Sequence, residues 1–292
     1  MPAPIVHYLF AKRVQEELCK KGVLVPSEAA FLWGAQGTAL LTNLRNSGLT
    51  AAALQLSGQP PAVWDSLLHD CCGMVQRENG LSCAEGLLCS SALEQAATPY
   101  ISWCAAQMAA RDRSQPAEIW KNEEESALDC ILLRYECGAL PTDFSLLQAL
   151  PKSGTVQSDL AELFAYLLEK GVGLPYAQEL CLQALEESRR LYRRLTDSTG
   201  LKRIFYLRRE HDKPHTWSSR MRSFTEDASF DYANLSGAAW GTGENPDSRT
   251  FLQLYDETAA RAVQRVTAWK QEQDARITRT QSHCKEKGEH QI

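Results

Sequence analysis

The stretch GLLCSSALEQAATPYISW, residues 86–103, decides how the chain is read. Its apolar spacing is that of a helix, yet Ser90, Glu94 and Thr98 recur along it at every fourth position. Positions i, i+4 and i+8 drift slowly around a helix of roughly 3.6 residues per turn, so these side chains form one polar column on an otherwise apolar rod. Such a column faces either solvent or a polar cavity, and the rest of the sequence has to decide between them.

Working outward, the pattern stays helical. A helix from about Ser82 to Arg111 carries the column, and another from about Pro116 to Glu136 comes after it, closed by Gly138 and Pro141. Upstream, residues 4–21 form an amphipathic helix stopped at Gly22, Ser27 is placed to cap a helix running into FLWGAQG, and Pro61 opens a helix to about Gln76. Downstream, residues 156–171 and 175–196 read as a helical pair whose second member carries Arg189, Arg190, Arg193 and Arg194, ordinarily a solvated face.

No alternating run of β-branched and aromatic residues bounded by turns is present, so strand signals are lacking. The expectation is an all-α fold, a single multi-helix domain over residues 1–274. Within it, residues 208–249 are rich in Ser, Asp, Gly and aromatics and too long for an ordinary connection. They are expected to lie over a cavity mouth and bury Trp217, Phe224, Phe230, Tyr232 and Trp240. A last helix spans about Ser248 to Asp274, and residues 275–292 are expected to be a polar, disordered tail.

With 292 residues, 44% apolar and 23% charged, the chain has the make-up of a globular protein with a sizeable core. A net charge of -5 argues against a general nucleic-acid binder. No run reaches the roughly 18 apolar residues of a transmembrane segment, and MPAPIVHYLFAKR lacks the pattern of a signal peptide, so a cytoplasmic location is expected. Ten cysteines fall mostly inside apolar helical patterns, among them Cys19, Cys89, Cys104, Cys130 and Cys181, and read as reduced core thiols.

Isolated chemical signals are weak. His211 and His215 stand four apart with Asp212 between them, but Pro214 opposes a helix that presents both. His69 beside Asp70 reads as a helix-surface residue, and nothing but His69 stands near Cys71 and Cys72 to lower a thiol pKa. No CxxC, zinc-finger spacing, Gly-rich phosphate loop or GxSxG elbow occurs.

Several segments, taken in order across nearly the whole chain, resemble the α-helical zinc-dependent phospholipase C family, in particular its cytoplasmic bacterial branch. MPAPIVHYLF, residues 1–10, is similar to that branch's opening, with His7 at the position of a metal ligand. FLWGAQGTALL, residues 31–41, resembles a segment in which Gly-Ala-Gln-Gly precedes Pro and a metal-binding Asp; Thr38 and Ala39 stand there instead. In the 86–103 stretch the family carries His, Asp and His before a Pro-Tyr pair, at the places of Ser90, Glu94 and Thr98. IWKNEEESALDCILL, residues 119–133, has Lys121 at a ligand His and keeps the ligand Glu as Glu125. A further ligand His falls near Ser57, and in DYANLSGAAW, residues 231–240, Ser236 and Gly237 replace Asn and His.

The resemblance implies a fold built for phosphodiester hydrolysis by clustered zinc, which polarises phosphoryl oxygens and generates hydroxide near neutral pH. Here serine and threonine hydroxyls hold zinc poorly, alanine offers no donor, and a lysine ammonium repels the ion. These substitutions imply a catalytically degenerate relative with no catalytic residue and no required cofactor, in which Ala39, Ser57, Ser90, Thr98 and Lys121 line the former metal cavity and a small ligand or protein partner binds. The competing reading is a metal-dependent phosphodiesterase with a reduced or rebuilt site, His7, Glu94 and Glu125 holding one divalent ion, zinc if any. Against it, a His after an apolar stretch serves as a hydrogen-bonded core residue, and Glu125 can pair with Lys121 one turn earlier.

Overall fold

A computed structural model describes residues 4–223, 230–241 and 246–289. Among them the chain forms helices α1 (Pro4–Lys20), α2 (Glu28–Ala35), α3 (Ser47–Ser57), α4 (Pro61–Cys71), α5 (Arg77–Arg111), α6 (Ala117–Cys137), α7 (Gly154–Val172), α8 (Gln178–Leu195), α9 (Leu201–Arg209) and α10 (Phe251–Glu289). Two 3-10 turns, Gly37–Asn43 and Ser218–Arg220, matter for the site. The β structure among the described residues is one isolated antiparallel bridge, Trp240 to Asp247, so the all-α expectation holds. No described helix is long and apolar enough to cross a membrane.

The helix read from residues 86–103 is the axis of the domain. α5 packs against α2, α10 and α6, and a helix enclosed on several sides needs apolar residues almost all round. The contact with α2 is made backbone to backbone: a Cβ on Gly86 would lie 2.3 Å from the Phe31 carbonyl oxygen and 2.7 Å from the Ala35 nitrogen. Gly86→Ala is therefore expected to lower stability by about 1–3 kcal/mol, the range for overpacking, as a shift in denaturant midpoint. An unchanged midpoint would show that α2 can move away without cost.

Helix ends obey their signals. Ser27 accepts from the Ala30 N–H, and Gly138 and Gly173 close α6 and α7 in the left-handed conformation. Other elements depart from the sequence expectations, and α4 ends at Cys71, short of Gln76. α5 starts at Arg77 because Gly80 sits inside the helix, where a Cβ would lie 2.0 Å from the Cys72 carbonyl oxygen. α3, capped by Asn46, was not anticipated. α10 continues past Asp274 to Glu289, through residues read as a tail; Glu272 and Arg276 pair across one turn there.

Two local readings are corrected. His69 is a core residue, stacked on Trp269 at 4.8 Å with Nδ1 2.7 Å from Gln273 Oε1, because α10 packs across α4. Cys19 is exposed near the C-terminal end of α1, whereas Cys71, Cys72, Cys89, Cys104 and Cys181 are buried, and all the described cysteines are free thiols. Burial pushes the Cys72 thiol up to about 11 and the Cys71 thiol higher still, so neither is a nucleophile near neutral pH. His211 and Asp212 pair with each other on the exposed surface.

Candidate functional site

The polar column faces inward. Ser90 is buried and Glu94 and Thr98 are half-buried. Ser90 Oγ donates to Glu94 Oε1 at 3.3 Å, and Ser57, at the end of α3, also hydrogen-bonds the Glu94 carboxylate. The turn after α2 closes over them. A Cβ on Gly37, whose φ is +68, would meet Ser90 Oγ at 2.2 Å and Glu94 Oε1 at 3.1 Å, so glycine is required there by both backbone and space. Burial pushes the Glu94 carboxyl up to about 7; the Ser90 and Ser57 bonds oppose the rise and the nearby Glu125 adds to it.

Two residues past Gly37, Ala39 lines a cavity of about 180 Å³ together with Glu125, Asn122, Tyr192, Arg220 and Arg222. Helical spacing on α6 puts Asn122 and Glu125 on one face. Gln36 fixes the adjoining turn: its Oε1 accepts from Tyr192 of α8 at 2.9 Å and its Nε2 donates to the Pro4 carbonyl at 3.4 Å. The far wall comes from the long segment. Ser126 Oγ donates to the Ser219 carbonyl at 2.7 Å, and Glu210 accepts from the Trp217 and Ser218 backbone N–H groups at 2.9 and 3.1 Å.

One buried ion pair ties these pieces together. Asp129 of α6 is fully buried; its Oδ1 accepts from the Val6 N–H at 2.7 Å and its Oδ2 from Arg222 Nε at 2.7 Å. The Val6 N–H belongs to the first turn of α1, where backbone donors lack helical partners and a carboxylate is favoured. Arg222 in turn donates to the Arg220 carbonyl at 2.8 Å. A single carboxylate thus joins α1, α6 and the cavity wall.

His7 lies on the buried side of α1. Its ring bonds the Ala35 backbone, while Nε2 has no partner among the described residues, and burial pushes the imidazole down to about 3. The ring is therefore neutral and presents one bare nitrogen lone pair. Among the described residues, however, no three His, Cys, Asp or Glu side chains converge as a metal site requires. With Ala39, Ser57, Ser90, Thr98 and Lys121 offering poor donors or none, the residues present do not fit a zinc cluster.

The structure thus gathers Ser57, Ser90 and Glu94 into one polar cluster and sets Ala39 and Glu125 in one cavity wall. Lys121 and Thr98 are half-buried one turn from Glu125 and Glu94 and stand outside that wall. Ser236 and Gly237 are exposed, on a loop held by Asn234, whose Nδ2 donates to the Ala238, Ser248 and Arg249 carbonyls. Trp240 is buried against Tyr100, and Trp217, Phe230 and Tyr232 are half-buried. Phe224 lies outside the described residues. The sequence reading missed Arg220, Arg222, Asp129 and Gln36. Gln36 was visible beside Gly37, but arginines in a segment without periodicity carry no signal that places them.

No protein-family model, no curated protein and no solved structure matches this chain.

Proposed function

We propose that this chain is a zinc-dependent phospholipase C-like protein of the cytoplasmic bacterial kind that has lost catalysis and keeps its helical fold and polar cavity to bind a small ligand or a protein partner. The carrying observation is that three of the substituted positions are neighbours: Ser57 and Ser90 each hydrogen-bond the Glu94 carboxylate beside Gly37, and Glu125 is near enough to raise Glu94. Ser57 and Glu125 come from segments distant in sequence from α5, and their closeness to Glu94 supports the resemblance. The donor chemistry then favours binding over hydrolysis, because hydroxyls, a methyl and an ammonium do not generate a zinc-bound hydroxide.

A second reading, a metal-dependent phosphodiesterase with a rebuilt site, rests on the bare Nε2 of His7 alone, since His7, Glu94 and Glu125 do not converge as a three-ligand set among the described residues. Hydrolysis of a nitrophenyl phosphodiester with added zinc separates the two. The binding reading predicts release of nitrophenol no faster than in buffer with the same zinc. Zinc-dependent turnover that disappears in Glu125→Ala would replace it with the second reading.

A further inference from the structure

We infer that the cavity between α6, α8 and the Ser218–Arg222 segment takes the oxyanion of a small ligand, a carboxylate or a phosphate, on the guanidinium of Arg220. The inference rests on the reading of this cavity as a binding site and adds the chemistry of what enters it.

Arg220 is half-buried in the cavity wall, yet it makes no ion pair and its side chain donates no hydrogen bond to any described residue. Its neighbour Arg222 pairs with Asp129, Arg203 pairs with Glu123 at 3.1 Å, and the half-buried Arg189 donates to the Leu150 carbonyl at 3.1 Å. A cation taken out of water with no carboxylate bonded to it is costly, and Glu125, the carboxylate on the same wall, acts on Arg220 only through its charge. Burial, reinforced by the charge of Arg222, holds the Arg220 pKa below its usual value, while Tyr192, Glu125 and Glu118 act weakly in the other direction.

Donors and size narrow the ligand. Asn122, on the same wall, uses its amide on no described residue, so it can serve an oxygen held by Arg220. Thr42, Ser126 and Tyr192 already donate their hydroxyl protons to Ala39, Ser219 and Gln36 and can only accept. The planar guanidinium matches the two oxygens of a carboxylate or of one phosphate face. A volume of about 180 Å³ is small beside the roughly 300–1,000 Å³ of ordinary ligand pockets, which points to a small molecule or a single headgroup.

Thermal unfolding measured against inorganic phosphate and against acetate, with chloride at matched ionic strength, tests the assignment. Saturable stabilisation by phosphate or acetate and none by chloride is expected, and the ion that saturates lower identifies the oxyanion. Arg220→Gln should weaken it by about tenfold or more, the scale of a hydrogen bond to a charged group. Arg193→Gln, the same charge change on the exposed face of α8, should leave it unaltered. Asn122→Asp, which sets a carboxylate against the oxyanion, should weaken it comparably and decides the matter if Arg220→Gln does not fold. No saturable effect on the unmodified protein, or equal affinity in the folded variants, overturns the inference. Zinc-dependent diester hydrolysis overturns the binding reading alone, so the two failures are distinguishable.

Discussion

Replacing Asp129 with alanine is expected to cost about 3–5 kcal/mol of folding stability, the range for removing one partner of a buried ion pair. The loss has two parts. Arg222 keeps its charge in a wall where no other carboxylate is bonded to it, and the Val6 N–H loses its acceptor at the start of α1. Burial raises the Asp129 carboxyl to about 6 even though Arg222 and the Val6 N–H oppose the rise, so desolvation outweighs the pairing. Removing both charges should therefore hurt less than removing one. Asp129→Leu with Arg222→Met is expected to recover a large share of the loss seen in Asp129→Leu alone, read as a coupling energy from denaturant unfolding. Additive losses would mean that the two side chains do not depend on each other.

His7 should make the fold acid-sensitive. Its folded pKa of about 3 lies below the ordinary 6.5, so the unfolded chain takes up a proton that the folded chain refuses. The stability it leaves intact above pH 6.5 is lost as pH falls from there towards 3, about 3 kcal/mol by pH 4. Glu94 and Asp129 work the other way. Their folded values of about 7 and about 6 lie above the usual carboxylate range, so each costs stability as pH rises through the window and returns it on acidification. The net profile of the unmodified protein mixes these signs. The difference between it and His7→Leu isolates the histidine: it should shift by about 3 kcal/mol in favour of the leucine variant between pH 7 and pH 4. A constant difference across that range would mean that the imidazole is solvated or has an acceptor for a second proton.

Much of the fold was legible because its signals are local. Ser27, Gly138 and Gly173 mark helix ends whatever the rest of the chain does, and the spacing in residues 86–103 identifies α5. The start of α5 was not legible, because Gly80 looks like a break until the Cys72 backbone is seen against it. α3 was missed because Ser, Gly, Thr and Ala in SGLTAAALQLS blur its periodicity. His69 looked like a surface residue because nothing in its own helix tells of Trp269, some two hundred positions away.

For the site, the column of Ser90, Glu94 and Thr98 could be read, but whether it faced solvent depended on Gly37 and Ser57. Arg220 and Arg222 could not be placed from sequence, since a short 3-10 turn in an irregular segment has no period to trace. Glu124 and Glu125 show the same limit at adjacent positions. Glu124 points into the core beside the Cys104 thiol, where burial holds its carboxyl well above the usual range, and Glu125 lines the cavity.

The most direct measurement of the central claim is the zinc content of the protein purified without chelator and dialysed against metal-free buffer. The proposal that Ala39, Ser57, Ser90, Thr98 and Lys121 stand at lost ligand positions predicts zinc far below one equivalent per chain, with no change in His7→Ala. A full equivalent that survives dialysis and is lost in His7→Ala or Glu125→Ala would contradict it and establish a rebuilt metal site.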